Sequence, residues 1–193
     1  MTSEKAANKL KEKFSAAEIV EFRGEYTAIV ALDEFRAVIE YCRKDLNFEL
    51  LLDITSVDQY GEDPRFEVLY ELATVDDAAH LRVKVKIAEE VEVPTVTDIW
   101  GSADWHEREV YDMMGIKFAG HPNLKRILMW EGYPFHPMRK EFPLEGLPSE
   151  MPDVGFSDSA PMADGPFVTC SGGGGSRKAA EPRSRAFTKP EEA

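Results

Sequence analysis

Apolar and polar residues alternate along three successive stretches of the chain. In residues 48–54 the even positions Phe48, Leu50, Leu52 and Ile54 are apolar, and in 65–73 Phe66, Val68, Tyr70 and Leu72 repeat the pattern. In 81–88, Leu81, Val83, Val85 and Ile87 alternate with Arg82, Lys84 and Lys86. A period of two puts one face of a strand in a core and the other in water, the habit of antiparallel sheets. Tyr60-Gly61-Glu62-Asp63-Pro64 supplies turn chemistry between the first two strands, and residues 26–32 read as an earlier strand. The wet faces set Glu67 and Glu71 beside Arg82, Lys84 and Lys86. Such cross-strand pairs contribute about 0.2–1 kcal/mol each, which is ordinary sheet decoration and not a site. Helical spacing appears at Leu10 and Phe14, within a residue 1–22 stretch of helical tendency. Phe35, Val38, Ile39 and Cys42 make a second stripe, on a helix capped by Asp33 and running to about Leu46. The expected body, residues 1–94, is α+β: a small, mostly antiparallel sheet of about four strands with two helices on one face.

Beyond Pro94 the texture changes. Thr97 is placed to cap a turn through Trp100, and Ser102 or Asp104 to open a helix that stops at Gly115, since glycine suits the left-handed position after a helix. Asn123 is placed to cap another short helical piece carrying Leu124, Ile127 and Leu128. Residues 95–130 therefore read as a helical segment. Residues 131–148 contain Pro134, Pro137, Pro143 and Pro148, which favour extended backbone and predict an arm. Residues 149–193 read as a flexible low-complexity tail, with a Gly172–Gly175 hinge and a basic cluster at Arg177, Lys178, Arg183, Arg185 and Lys189.

Charge and composition narrow the function. The chain has 193 residues and a formal charge of −13, of which −2 lies in residues 146–193 and −11 in the rest. A nucleic-acid surface needs clustered cations, so that partner is excluded. No run approaches the ~18–20 apolar residues that span a bilayer, and the start lacks the apolar region of a secretory signal, so membrane contact is expected to be indirect. Cys42 and Cys170 are the two cysteines, too few for a cysteine-ligated cluster, and reduced thiols are expected.

The densest chemistry lies in residues 105–128. His106-Glu107 begins like a zinc-protease helix, but the required second histidine is Val110. Glu107 and Glu109, two apart on a helix, point to different sides and do not share a substrate, whereas Arg108 and Asp112 are spaced to pair. His121 and His136 each precede a proline and read as turn or interface residues. Nucleotide-binding glycine motifs and the Gly-x-Ser-x-Gly elbow are absent. The apolar residues of the helix do not fall on one stripe, which suits burial between two proteins.

Three ordered blocks then stand out: Glu107-Arg108-Glu109-x-Tyr111-Asp112-x-x-Gly115-Ile116, Gly120-His121-Pro122-x-Leu124-x-Arg126-Ile127-Leu128, and His136-Pro137-x-Arg139-Lys140-x-x-Pro143. With the approach Val96-Thr97-Asp98-Ile99-Trp100-x-x-Ala103-x-Trp105, they resemble the signature of the complex I 30 kDa subunit family over residues 95–145. Phe135 stands where that family often has glycine, and Glu141-Phe142 where it has Asp-Tyr. The resemblance implies a cofactor-free subunit in the peripheral arm of proton-translocating NADH:quinone oxidoreductase. Such a protein packs on the 49 kDa-type (D-type) subunit and neighbouring Fe-S subunits, with FMN and the Fe-S clusters held by those partners. It implies no catalytic, cofactor-binding or metal residue in this chain. It also implies a peripheral position on the cytoplasmic face of the inner membrane. A related membrane-bound hydrogenase or plastoquinone-reducing complex is the alternative home. Within that resemblance, Glu107, Arg108, Glu109, Asp112, Arg126, Arg139 and Lys140 are expected as paired charges fixing the arm and its partner. Tyr111, Gly115, His121, Pro122, His136 and Pro137 are expected in the same interface.

Overall fold

The computed structural model describes residues 2–130 and 132–144. Its elements are α1 (Ser3–Lys13), β1 (Glu18–Phe22), β2 (Glu25–Val30), α2 (Leu32–Lys44), β3 (Leu50–Asp58), β4 (Phe66–Ala73), β5 (His80–Ile87), β6 (Val93–Pro94), α3 (Ala103–Met114) and β7 (Phe118–Ala119). Five strands form one sheet in the order β1-β2-β5-β4-β3, and β6 and β7 form a small parallel pair. Within the large sheet β2 and β5 run parallel, and the other neighbours run antiparallel. The fold is α+β, as the periodicity implies, with a fifth strand and a third helix.

The even positions of β4 and the odd positions of β5 that the alternation marks as buried are buried. They pack with Phe35, Val38, Ile39 and Cys42 of α2 and Ala6, Ala7 and Leu10 of α1, and both helices lie on β2 and β5. Across the wet face Lys84 and Lys86 reach Glu67 at 2.9 and 3.5 Å, and Arg82 reaches Glu71.

Several local expectations need correction. Residues 18–22 are a strand, not the end of a helical region. β1 is mostly exposed, so it lacks an apolar face to betray it, and it turns into β2 at Arg23 and Gly24, whose φ of 55° and 83° suits a tight hairpin. β3 is longer than residues 48–54 and its register shifts between Leu51 and Asp53. That bulge swaps the strand's parity, so Leu51 and Ile54 are buried while Leu50 and Leu52 are exposed. The residue preceding α2 is Ala31 and no side chain caps it; Asp33 lies in the first turn. Thr97 does not cap its turn; its amide donates to Thr95 Oγ1.

The chain divides into two compact units, Met1–Glu131 with His136–Glu141, and Gly132–Phe135 with Phe142–Ala193. In the described part of the second unit, Phe135 meets Tyr133 edge-on at 5.6 Å and lies 6.1 Å from Phe142. The tail, residues 149–193, with its glycine hinge and basic cluster, lies outside the described residues.

Candidate functional site: the α3 block and its strap

Helix α3 buries Ala103, Glu107, Val110 and Met114, spaced i, i+4, i+7 and i+11. There is thus one inward stripe, contrary to the expectation from the sequence, and a glutamate sits on it. Glu109 faces solvent and Trp105 is 60% exposed. Arg108 lies over the Trp105 ring at 4.9 Å and its Nε donates to Lys125 O at 3.0 Å. The Arg108–Asp112 pair that the spacing allows is therefore not formed.

Asp112 is fully buried although it projects toward the outer side of the helix, because residues 126–129 wrap over it. Its Oδ2 accepts the amides of Ile127, Leu128 and Met129 at 3.0, 2.7 and 2.9 Å, and Oδ1 accepts Arg126 Nη1 at 2.6 Å. Three consecutive amides aimed at one oxygen are not available for i→i−4 bonds. That explains why the helical piece expected after Asn123 is irregular chain instead. Burial pushes the Asp112 carboxyl upward, but the amides of Met129 and Leu128, then Arg126 and the Ile127 amide, hold it below the usual aspartate range.

A helix end leaves four carbonyls without intrahelical partners. Here every one is supplied. Gly115, at φ 78°, returns its amide to Tyr111 O at 2.9 Å. Asp112 O accepts from Arg126 Nη1 and His136 Nδ1, both at 3.0 Å. Met113 O accepts the Met138 amide at 3.1 Å, and Met114 O accepts Arg139 Nε at 2.7 Å. The last turn of α3 has no basic residue of its own, so the arginines of the following chain complement its dipole. The segment His136–Glu141 is thus a strap laid across the helix end, with Pro137 limiting the backbone between two anchors. A Cβ on Gly115 would lie 2.7 Å from the His136 ring and 2.8 Å from Arg139 Nη2, so the strap and the glycine require each other. Burial, and next the charges of Arg126 and Arg139, hold His136 below its usual range against the Asp112 carbonyl that favours its charged form. Tyr111 meets the His136 ring edge-on at 6.5 Å.

The far end of the strap ties into charges that the sequence reading missed. Arg65 grips the buried Asp58 with Nε and Nη2 at 2.8 and 2.9 Å, reaches Glu89 at 3.2 Å and pairs with Glu141. Arg139 reaches Glu89 at 2.8 Å. Lys140 contributes its backbone amide, donated to Asp58 Oδ2 at 2.8 Å. Arg65, then the Lys140 amide and the charge of Arg139, outweigh burial and hold Asp58 below the usual range. One signal was legible: Asp58 shares the inward parity of Ile54 on β3, where an acid needs a partner.

The N-terminal half of α3 has its own anchor. Glu107 is fully buried; Oε1 accepts the Val96 amide at 2.7 Å and Oε2 bonds to the Thr95 hydroxyl at 2.5 Å. Burial, opposed by those bonds and aided by Asp104 and Asp98, pushes its carboxyl up to about 7. His121 Nδ1 accepts the Asn123 amide at 3.0 Å, while Nε2 lies 3.2 Å from Asp104 O. Pro122 is exposed beside it.

Every charged group here is turned inward to hold backbone or another charge. Among the described residues no three His, Cys, Asp or Glu side chains are placed to hold a metal, and no helix is long and apolar enough to cross a membrane. The hollow between Gly115, Ile116, Phe66 and Arg139 measures about 10 Å³, space for roughly one water.

The family described as respiratory-chain NADH dehydrogenase, 30 Kd subunit, matches residues 28–148. The C-type subunit of NADH-quinone oxidoreductase from Geotalea uraniireducens is 43% identical over 145 residues, covering 74% of this chain and 88% of that one. A Sulfurihydrogenibium protein, named as the joined C/D form of NADH-quinone oxidoreductase subunits, is 40% identical over 152 residues, which cover 77% of this chain and 26% of that one. Among solved structures, a chain of the archaeal membrane-bound sulfane sulfur reductase, a respiratory membrane complex, superposes with a TM-score of 0.65 at 28% identity, covering 73% of this chain and 85% of that chain. The chain belongs to the respiratory-chain NADH dehydrogenase 30 kDa subunit family.

Proposed function

We propose that this protein is a cofactor-free positional subunit of the peripheral arm of an NADH:quinone oxidoreductase, and that the α3–strap block is its docking piece for the 49 kDa-type subunit. The observation that carries this reading is how the block uses its charges. Asp112, Arg126, His136 and Arg139 saturate the end of one helix and hold the strap on it, while Trp105, Leu128 and Met138 remain exposed on the same block. A preformed surface that leaves aromatic and aliphatic side chains in water suits protein contact, because the ordering cost is met before the partner arrives. A reaction chamber would instead leave polar groups free around a cavity. The relative whose name joins C and D in one polypeptide supports the D-type subunit as the partner. On this reading FMN, Fe-S clusters and electron transfer belong to partner chains, and the protein is peripheral on the cytoplasmic side of the membrane.

A second reading, a subunit of a related membrane-bound redox complex, is favoured by the likeness to a chain of the sulfane sulfur reductase complex. Affinity purification of the tagged chain from native membranes tests both. Recovery of a D-type subunit together with NADH oxidation supports the first. Recovery of a hydrogenase or sulfur-reducing module without NADH oxidation supports the second. A purified chain that turns over a substrate alone contradicts both.

A further inference from the structure

Helix α3 carries two fully buried carboxylates, and their surroundings differ in kind. Asp112 faces an arginine and three amides. Glu107 has no cation within hydrogen-bond distance among the described residues. Its nearest ring nitrogen, His121 Nε2, is 3.9 Å away, beyond hydrogen-bond reach. That nitrogen carries the ring's hydrogen, since Nδ1 accepts the Asn123 amide, and it faces Asp104 O at 3.2 Å and Asp104 Oδ1 at 3.1 Å.

The other elements around Glu107 add no positive neighbour. The turn after β6 presents the Thr95 hydroxyl, the Val96 amide and Asp98. Arg36 of α2 approaches from behind, but it donates to Thr95 O at 2.6 Å and pairs with Asp98. From β4 comes the Tyr70 hydroxyl, buried without a hydrogen-bond partner and exposed to the charge of Glu107. α3 itself contributes Asp104. The Thr95 hydroxyl fits either state of the glutamate. A protonated Oε2 donates to Thr95 Oγ1, whose own hydrogen then turns to Thr97 Oγ1 at 3.0 Å; an ionised Oε2 accepts from it.

We propose that Glu107 is a pH-sensitive lock within the fold: protonated, it clamps the β6–β7 pair and the Thr95 turn onto α3, and ionised, it loosens them while the strap stays latched. The sign follows from linkage. Closed, Glu107 holds its proton to about 7; opened to water, it reverts toward 4.5. The closed state therefore binds more protons between those values, and opening becomes easier as pH rises through that window. Between about pH 6 and about pH 8.5 the opening equilibrium should rise roughly tenfold. Asp112, held below the usual range, remains ionised throughout and leaves the strap end silent. The inference stands apart from the choice of docking partner.

Hydrogen exchange of the full chain, with intrinsic rates corrected for pH, tests it. Expected is a roughly tenfold rise in opening for amides of residues 93–97 and 118–123 over that range. The rise should be absent in Glu107→Gln, with residues 126–129 and 136–140 unchanged in both proteins. An equal rise in Glu107→Gln, or an equal response in the strap, overturns the proposal. Carbon NMR of the wild-type side-chain carboxyls decides independently of whether the variant folds. A glutamate titrating near 7 supports the lock, and titration of every glutamate below about 5.5 overturns it.

Discussion

Replacing Asp112 by asparagine changes one oxygen of a fully buried carboxylate to an amino group and leaves the shape nearly intact. The side chain then has two orientations, and neither satisfies its surroundings. With its carbonyl toward Ile127, Leu128 and Met129, it keeps three bonds without charge assistance and presents an N–H group to Arg126. Turned the other way, it aims donors at three donors. Charge-assisted bonds contribute about 1.5–3 kcal/mol and neutral ones about 0.5–1.5, so three weakened bonds and one lost acceptor cost roughly 3–5 kcal/mol. Urea unfolding followed by circular dichroism measures this, with Glu109→Gln, on the exposed side of the same helix, as a control expected within about 0.5 kcal/mol. The cost should also depend on pH. Asp112 titrates lower folded than unfolded, so its contribution is present above the ordinary aspartate value and is lost as pH falls through its depressed folded value. The gap between wild type and variant should narrow in acid. A cost below about 1 kcal/mol at neutral pH, or a gap unchanged in acid, would refute the reasoning.

Three further outcomes are expected. Gly115→Ala places a Cβ 2.7 Å from His136 in a left-handed conformation, and should cost about 2–4 kcal/mol while speeding amide exchange in residues 136–140. Arg65→Met strands the buried Asp58 with the Lys140 amide as its remaining donor, and should cost about 3–5 kcal/mol at neutral pH. Because Asp58 is held low by Arg65, that loss should shrink as acid protonates the wild-type carboxylate, which a pH series of melts reads directly. Arg108→Ala removes a stacking contact on Trp105 and one bond to Lys125 O; stability should change by about 1 kcal/mol or less, while recovery of the chain in the assembled complex falls.

The sequence discloses more of the fold than of the site. Period-two alternation in β4 and β5 translated into burial because both strands lie inside the sheet, where each face has one environment. It failed at β3 and β1, the two edges, where a bulge and a mostly exposed strand break the relation between parity and burial. Gly115 was legible because a left-handed helix stop has a local cause. The partners of α3 were not, because they depend on tertiary approach. Arg108 spaced four from Asp112 is a sound local pair, yet it lost to Arg126 and three amides brought by a loop fifteen residues away. Glu107 read as one member of a surface ion-pair network, whereas its place among Ala103, Val110 and Met114 marks it as an acid on the core stripe.

The docking role of the α3–strap block is tested most directly by recording hydrogen exchange of this chain alone and bound to its co-expressed 49 kDa-type partner. The account expects slowing in residues 103–114 and 124–141, around Trp105, Leu128 and Met138, with little change on the Lys84–Glu67 face of the sheet. Slowing confined to that sheet face, with the block unaffected, would contradict it.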